Sequence, residues 1–486
     1  MGASGFGSSY ILLLINEGIY SFSAVIVSIV LGRFLGASEL GLFAMVTAYM
    51  VLYLEICSLG VDITLVREYS KKTISIRTLM KTIYLMRLPL TFFGAGLYVV
   101  TLYFLKVNGY LISICAAVLL LRSAKLLINA LFFSKKRVSE IVASDVLFSV
   151  SYLVFFFFSI FVLENGVAGV FVAQLIALAG SFVFSIRLLH KSGILREQLA
   201  SDQYNCEQRD CEQYNCEDDS LRKVFNQVKW FSVNPILGTV QGKLSFYVLS
   251  IVSVPVNIGL VSVGEMFKSI LFRLFNGIFS KLLLPSFGEV HKSKAEIDEL
   301  FYKSNTFFAV ASLIMVVLAL PLIKPFILWA YGREYAGSVL LARLFVLEGM
   351  LFTLSLSETT IIKLYREDLS ARISILGFVI CLPVTLFFYH FFELKGLVFA
   401  SFLITLVRLL YGTGLCSSIL KIKLLDTYIP QLAGIYFLIA LYLFCEVGLI
   451  SMVMVDLAMV IGALLVFLRT PGIFMNMCRM YGQEEV

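Results

Sequence analysis

The stretch GEMFKSILFRLFNGIF, residues 264–279, lies inside a long apolar run, yet it carries Glu265, Lys268 and Arg273. A helix advances about 100° per residue, so with Glu265 at zero Lys268 falls near roughly −60°, Arg273 near 80° and Asn276 near 20°. All four fit one side. The run therefore reads as a membrane-crossing helix with a single polar side.

The rest of the chain supports that environment. Of its 486 residues, 59% are hydrophobic, 14% aromatic and only 15% charged, against about 25% charged in soluble domains. Apolar runs of about 20 residues, the length that spans a bilayer, recur from end to end. The short alternating segments of a membrane β-barrel are missing. The sequence predicts an all-α polytopic membrane protein. Its net charge of +7 reports membrane topology, so no nucleic-acid partner is expected.

Apolar runs and polar breaks divide the chain into about fourteen transmembrane helices. The first six are expected at 8–32, 42–66, 82–105, 110–133, 141–163 and 166–189. Eight more follow at 229–252, 257–283, 303–323, 338–364, 371–392, 395–418, 428–446 and 449–468. The start, MGASGFGSSY, lacks a basic region, and the apolar run after it is too long for a signal peptide, so it reads as the first span. With the N-terminus in the cytoplasm, the cytoplasmic connections hold twenty-six Lys and Arg and the outer ones five: Arg33, Lys106, Lys324, Arg333 and Lys395. That asymmetry supports an even helix count with both termini cytoplasmic.

The longest polar segment, 190–228, divides the chain into an N-terminal lobe of six helices (1–189) and a C-terminal lobe of six (229–418), followed by two extra helices and a tail (419–486). Within it QYNCE occurs twice, and Cys206, Cys211 and Cys216 are spaced by five. Zinc sites ordinarily pair Cys two to four residues apart, so a duplicated linker in a reducing cytosol is the plainer reading and no metal is expected. The remaining cysteines, among them Cys57, Cys115 and Cys381, behave as small apolar residues.

Charges in the helices are costly, at ~2.5–3.5 kcal/mol each on insertion scales. Arg87 and Asp145 lie near cytoplasmic helix ends and are expected to snorkel to the headgroups or cap. Lys243, Lys268, Arg273, Arg408, Arg122, Lys125, Glu17, Glu55 and Glu348 lie nearer helix centres. Arg122, Lys125 and Asn129 follow an i, i+3, i+7 spacing, and Glu55, Ser58 and Asp62 do the same, so three helices each present one polar stripe. Two readings stand. Glu265 and Lys268 can be a buried pair that only fixes packing. Alternatively the stripes line a hydrated cavity whose cations meet an anionic substrate, Arg being suited to phosphate by its two-pronged donor fork.

Several motifs carry a family resemblance. GRFLGASELGLFAM (32–45) resembles the first-helix signature of the polysaccharide flippases of the multidrug/oligosaccharidyl-lipid/polysaccharide exporter superfamily, through Arg33, Leu35, Gly36, Glu39 and Gly41. SLGVDITLVREYSKK (58–72) is similar to the family's second-helix exit through Gly60, Leu65, Arg67 and Glu68. NIGLVSVGEMF (257–267), LLLPSFGEV (282–290) with Pro285, and YGREYAGSVLLARLF (331–345) with Gly332, Tyr335 and Ser338 repeat the theme. One departure is Lys243 with Ser245, where many members carry an acidic residue.

The resemblance implies a bacterial inner-membrane flippase. It would move a polyprenyl-diphosphate-linked oligosaccharide to the outer leaflet for O-antigen, lipopolysaccharide, capsule or exopolysaccharide assembly, by alternating access. It implies a central cavity lined by helices 1, 2, 7 and 8, holding Asn16, Glu17, Glu55, Asp62, Lys243, Glu265, Lys268 and Arg273. Arg122 and Lys125 join that set through their stripe. Helices 13 and 14 would offer a groove for the lipid tail. The implied partners are the lipid-linked oligosaccharide, membrane lipids, and polysaccharide polymerase and chain-length proteins. No cofactor is expected beyond proton or sodium coupling, for which Glu17 and Asp62 are the candidates. A multidrug cation antiporter of the same fold is the alternative, disfavoured by Lys243, Lys268 and Arg273. A membrane polysaccharide polymerase is a further one, disfavoured by the absence of a large outer loop. No phosphate-binding glycine loop or HExxH motif points to an enzyme.

Overall fold

Apolar sequence in a bilayer must satisfy its backbone internally, and a helix does so within one segment. In the computed structural model every regular element among the described residues is helical. Those residues are 3–62, 83–134, 137–191, 235–278, 311–312, 314–316, 318–365 and 367–420. The linker repeat, the helices expected at 428–446 and 449–468 and Pro285 lie outside them.

Helix α1 runs Ala3–Ser58 and is broken at Gly36, whose φ of 81° and ψ of 176° are not helical. The connection expected at 33–41 is thus a one-residue break, which a glycine accepts because it has no Cβ to clash at positive φ. A π-helical turn, Ile83–Arg87, leads into α2, Leu88–Phe104. Then come α3, Gly109–Ser134, α4, Val138–Phe161, and α5, Gly166–Lys191. The next described helices are α6, Pro235–Val252, and α7, Pro255–Ile278. Next are α8, Ile314–Ala330, a 3-10 turn at Arg333–Gly337, α9, Ser338–Tyr365, and α10, Glu367–Leu420, broken at Glu393. The break in α10 falls where the sequence separates 371–392 from 395–418. Helix α8 runs past the expected end at 323, carrying Lys324 and Pro325 within it.

Eight of the described helical stretches are long and apolar enough to cross a membrane. The 24-residue α7 is long enough too, but carries Glu265, Lys268 and Arg273. The protein is a multi-pass membrane protein. Large apolar side chains stand exposed on α4 (Phe155, Phe158, Phe161) and α10 (Phe387, Phe391, Phe392); lipid tails, not water, are their natural neighbours.

The chain packs as two compact units, one of residues Ile11–Gly259 and one of the residues from Leu260 onward with those up to Tyr10. In the first unit α4 packs on α5, and α5 on α3. Phe132, Ile128 and Ile141 form a buried knot there, with Phe182 and Ile186 against it. Lipid is as apolar as leucine, so helix contacts in a membrane rest on close fit and hydrogen bonds. Both are present. A Cβ on Gly41 would overlap the carbonyl oxygen of Pro255, and one on Gly259 would overlap that of Ala37. The two backbones therefore touch directly. Tyr49 shares a 2.8 Å hydrogen bond with Ser250, and Tyr247 donates to the Ala48 carbonyl at 3.1 Å. In the second unit α9 packs along α10. Gly264 lies against Phe345 and Ala342, which brings α7 up to α9.

Candidate functional site

Three polar clusters are built from the helix charges. The first joins α1, α3 and α4. Lys125, only 7% exposed at its side chain, pairs with Asp145 at 2.8 Å. Its ammonium also donates to the Ser144 carbonyl at 3.5 Å and sits 5.2 Å from the centre of the Phe148 ring. Asn16 Nδ2 donates to the other Asp145 oxygen at 3.4 Å. Among the described residues Asn16 Oδ1 is buried and unpartnered, as is Asn129 Oδ1. One turn along α3, Arg122 donates to the Tyr20 hydroxyl at 3.2 Å. Asn16 and Lys125 thus meet at Asp145, and Arg122 lies one turn from Lys125 on α3. Asp145 does not snorkel; it turns inward because a buried lysine on the next helix needs its charge.

The second cluster corrects the reading of Arg87 in the same way. Arg87 is buried, and its guanidinium grips Asp62 with two prongs, Nε to Oδ1 at 3.0 Å and Nη2 to Oδ2 at 3.1 Å. Nη1 donates to the Cys57 carbonyl and to Thr91 Oγ1, and Nη2 to the Ser123 carbonyl. The Asp62 carboxylate is therefore committed to Arg87. It also leaves the stripe expected from its spacing to Glu55 and Ser58, because Leu59 and Gly60 turn the chain through positive φ. Glu55 stays half-buried at the end of α1.

The third cluster lies in the second unit. Lys268 of α7 pairs with Glu348 of α9 at 2.7 Å, with side chains 14% and 3% exposed. Ser401 and Thr405 of α10 donate to the same carboxylate oxygen. The anchor of Lys268 is thus on another helix, not one turn away at Glu265. Lys268 also lies 5.3 Å from the Phe345 ring centre, a position that favours a cation. Glu265 is buried on α7 and Arg273 half-buried. Lys243 is half-buried in the first unit, 5.1 Å from the Phe246 ring centre. Glu17 is half-buried on α1. Sorting by charge passes over the hydroxyls of Tyr20, Ser401 and Thr405, since an uncharged donor leaves no mark on an apolar helix. Among the described residues no group of His, Cys, Asp and Glu is arranged to hold a metal.

Residues 7–291, more than half of the chain, match the family described as polysaccharide biosynthesis protein. The chain belongs to that family. Solved structures of the same fold accompany this family member at low identity. The lipid II flippase MurJ, in an inward closed conformation, matches with a TM-score of 0.63 and 12% identity, covering 96% of this chain and 97% of that one. A MOP superfamily transporter from Pyrococcus furiosus, reported with a binding pocket of reverse polarity, matches with a TM-score of 0.59 and 12% identity, over 86% and 96%. The Vibrio cholerae MATE transporter VcmN matches with a TM-score of 0.52 and 12% identity, over 87% and 98%. No curated protein matches the sequence. The motif glycines of this family member have a physical role in the fold: Gly36 breaks α1 and Gly41 lets two backbones meet.

Proposed function

We propose that this protein is a flippase that carries a polyprenyl-diphosphate-linked oligosaccharide from the cytoplasmic to the outer leaflet for surface polysaccharide assembly. The observation that carries the reading is the family match over 7–291. The fold it shares with the lipid II flippase over 96% of the chain agrees with it. The charge set supports an anionic cargo: Lys243, Lys268 and Arg273 are held within or beside apolar helices, and a phosphate offers them charge-assisted hydrogen bonds. Alternating access through a partly cationic central cavity is the mechanism. The protein would sit in the bacterial inner membrane with both termini in the cytoplasm and work beside a polymerase and chain-length proteins. It would do no covalent chemistry of its own.

The test is complementation of a flippase-null strain. Lys268→Ala and Arg273→Ala should abolish surface polysaccharide at normal protein level, and lipid-linked oligosaccharide should accumulate inside. Lys268→Ala is also made together with Glu348→Gln, so that no buried carboxylate is left unpaired. Full complementation by these variants would remove the cationic residues from the substrate path. Export of cationic dyes with no effect on polysaccharide would favour the antiporter reading.

A further inference from the structure

Glu348 is buried with its contacts distributed unevenly. Oε1 accepts from Lys268 Nζ at 2.7 Å, Ser401 Oγ at 2.7 Å and Thr405 Oγ1 at 3.3 Å. Oε2 is buried and has no hydrogen-bond partner among the described residues. A buried acceptor without a donor is costly, more so when charged. A proton on Oε2 would relieve that cost. It would also cancel the charge that Lys268 needs, leaving an ammonium buried against the Phe345 ring. The exchange is balanced only if another anion reaches Lys268 as the proton arrives.

We propose that Lys268 and Glu348 form a charge-exchange site. When the diphosphate of the lipid-linked cargo takes the Lys268 ammonium, Glu348 Oε2 takes up one proton from bulk water. When that proton leaves, the ammonium returns to Oε1 and the diphosphate is released. No covalent bond other than the O–H of Glu348 forms or breaks. The inference rests on the reading of Lys268 as a diphosphate contact.

The surroundings suit such an exchange. From α7 the groups at hand are Lys268 and, one turn before it, the buried Glu265. From α10 they are Ser401, Thr405 and the Cys381 thiol, which is within electrostatic reach of both Glu348 and Lys268. On α9 itself Arg343 is buried further toward the start of the helix. Ser401 and Thr405 keep Oε1 hydrogen-bonded after the lysine departs, so the carboxyl holds its place in either state. Gly349 packs beside the lysine stem: a Cβ there would make ordinary contact with Lys268 Cα and Cγ at 3.6 Å.

The test uses the purified full chain in detergent with geranylgeranyl diphosphate, titrated calorimetrically in two buffers of different ionisation enthalpy. Wild type should take up about one more proton per ligand than Glu348→Gln. Its affinity relative to that variant should rise as pH falls, by up to about tenfold per pH unit. An equal proton count, with binding intact in both and lost in Lys268→Ala, overturns the exchange and leaves the flippase reading standing. Binding absent from wild type, or unchanged in Lys268→Ala, overturns both. Should Glu348→Gln fail to fold, wild type is treated with an apolar carbodiimide, which reacts with protonated carboxyls. Mass spectrometry should find more label on Glu348 when the diphosphate is present; unchanged or reduced label overturns the proposal.

Discussion

Arg87 donates five hydrogen bonds, to Asp62 twice, to the Cys57 and Ser123 carbonyls and to Thr91. Apart from Thr91, one turn on, its partners come from the end of α1, the turn after it and α3, 25 to 36 residues away in sequence, so its local sequence gives no sign of them. That is why a cation near a helix end reads as a snorkelling one. The same limit hides the partner of Lys268: Glu348 is identifiable in sequence as a costly intramembrane acid, but its pairing is set by packing between helices. The stripe Arg122, Lys125, Asn129 is legible because helical phase is local. For Arg87 the structure predicts that Arg87→Met lowers stability by about 3–5 kcal/mol, since Asp62 is left charged and buried. Adding Asp62→Asn should recover most of that loss. Thermal unfolding of the purified single and double variants checks it; equal melting temperatures for both would assign Asp62 no dependence on its partner.

At the scale of helices, span lengths are legible because bilayer thickness sets them. The expected 110–133 and 166–189 are found as Gly109–Ser134 and Gly166–Lys191. Breaks are harder to read. The polar run around Arg33 and Glu39 suggests a loop, but the helix resumes at once after Gly36. Around Lys324 a charge suggests an end, but the side chain is exposed on a helix that continues to Ala330. Proline in that run is tolerated, as it is in membrane helices generally. Glycines test the packing directly. Gly41→Ala and Gly259→Ala set a Cβ against backbone carbonyls that no rotamer change can move, so folded yield after detergent extraction should fall sharply. Gly18→Ala, with nothing within 4 Å of its Cβ, should extract like wild type. Gly36→Ala should cost about 1 kcal/mol or more from its positive φ alone, visible as a lower melting temperature.

Across the whole molecule, the asymmetry of basic residues sets the proposed orientation and can be checked residue by residue. Asn108 between α2 and α3, and Glu164 between α4 and α5, are exposed at helix connections, and Lys191 is exposed at the end of α5. In a cysteine-free background, Asn108→Cys and Glu164→Cys should react with an impermeant maleimide in intact cells. Lys191→Cys should react only after permeabilisation. The reverse pattern would invert the topology. The hydrogen bonds from Tyr49 to Ser250 and from Tyr247 to Ala48 also bear on biogenesis. Each joins residues about two hundred positions apart, and a ribosome adding about 5–20 residues per second needs on the order of 10–40 s to cover that distance. For that interval the second half of α1 is already made while its partner on α6 does not yet exist. The first unit is therefore finished only when translation has passed Gly259. A chain halted before α6 would wait in the membrane with the phenol of Tyr49 and a backbone-thin seam at Gly41 facing lipid, a half-made surface for insertion chaperones or quality-control proteases to meet first.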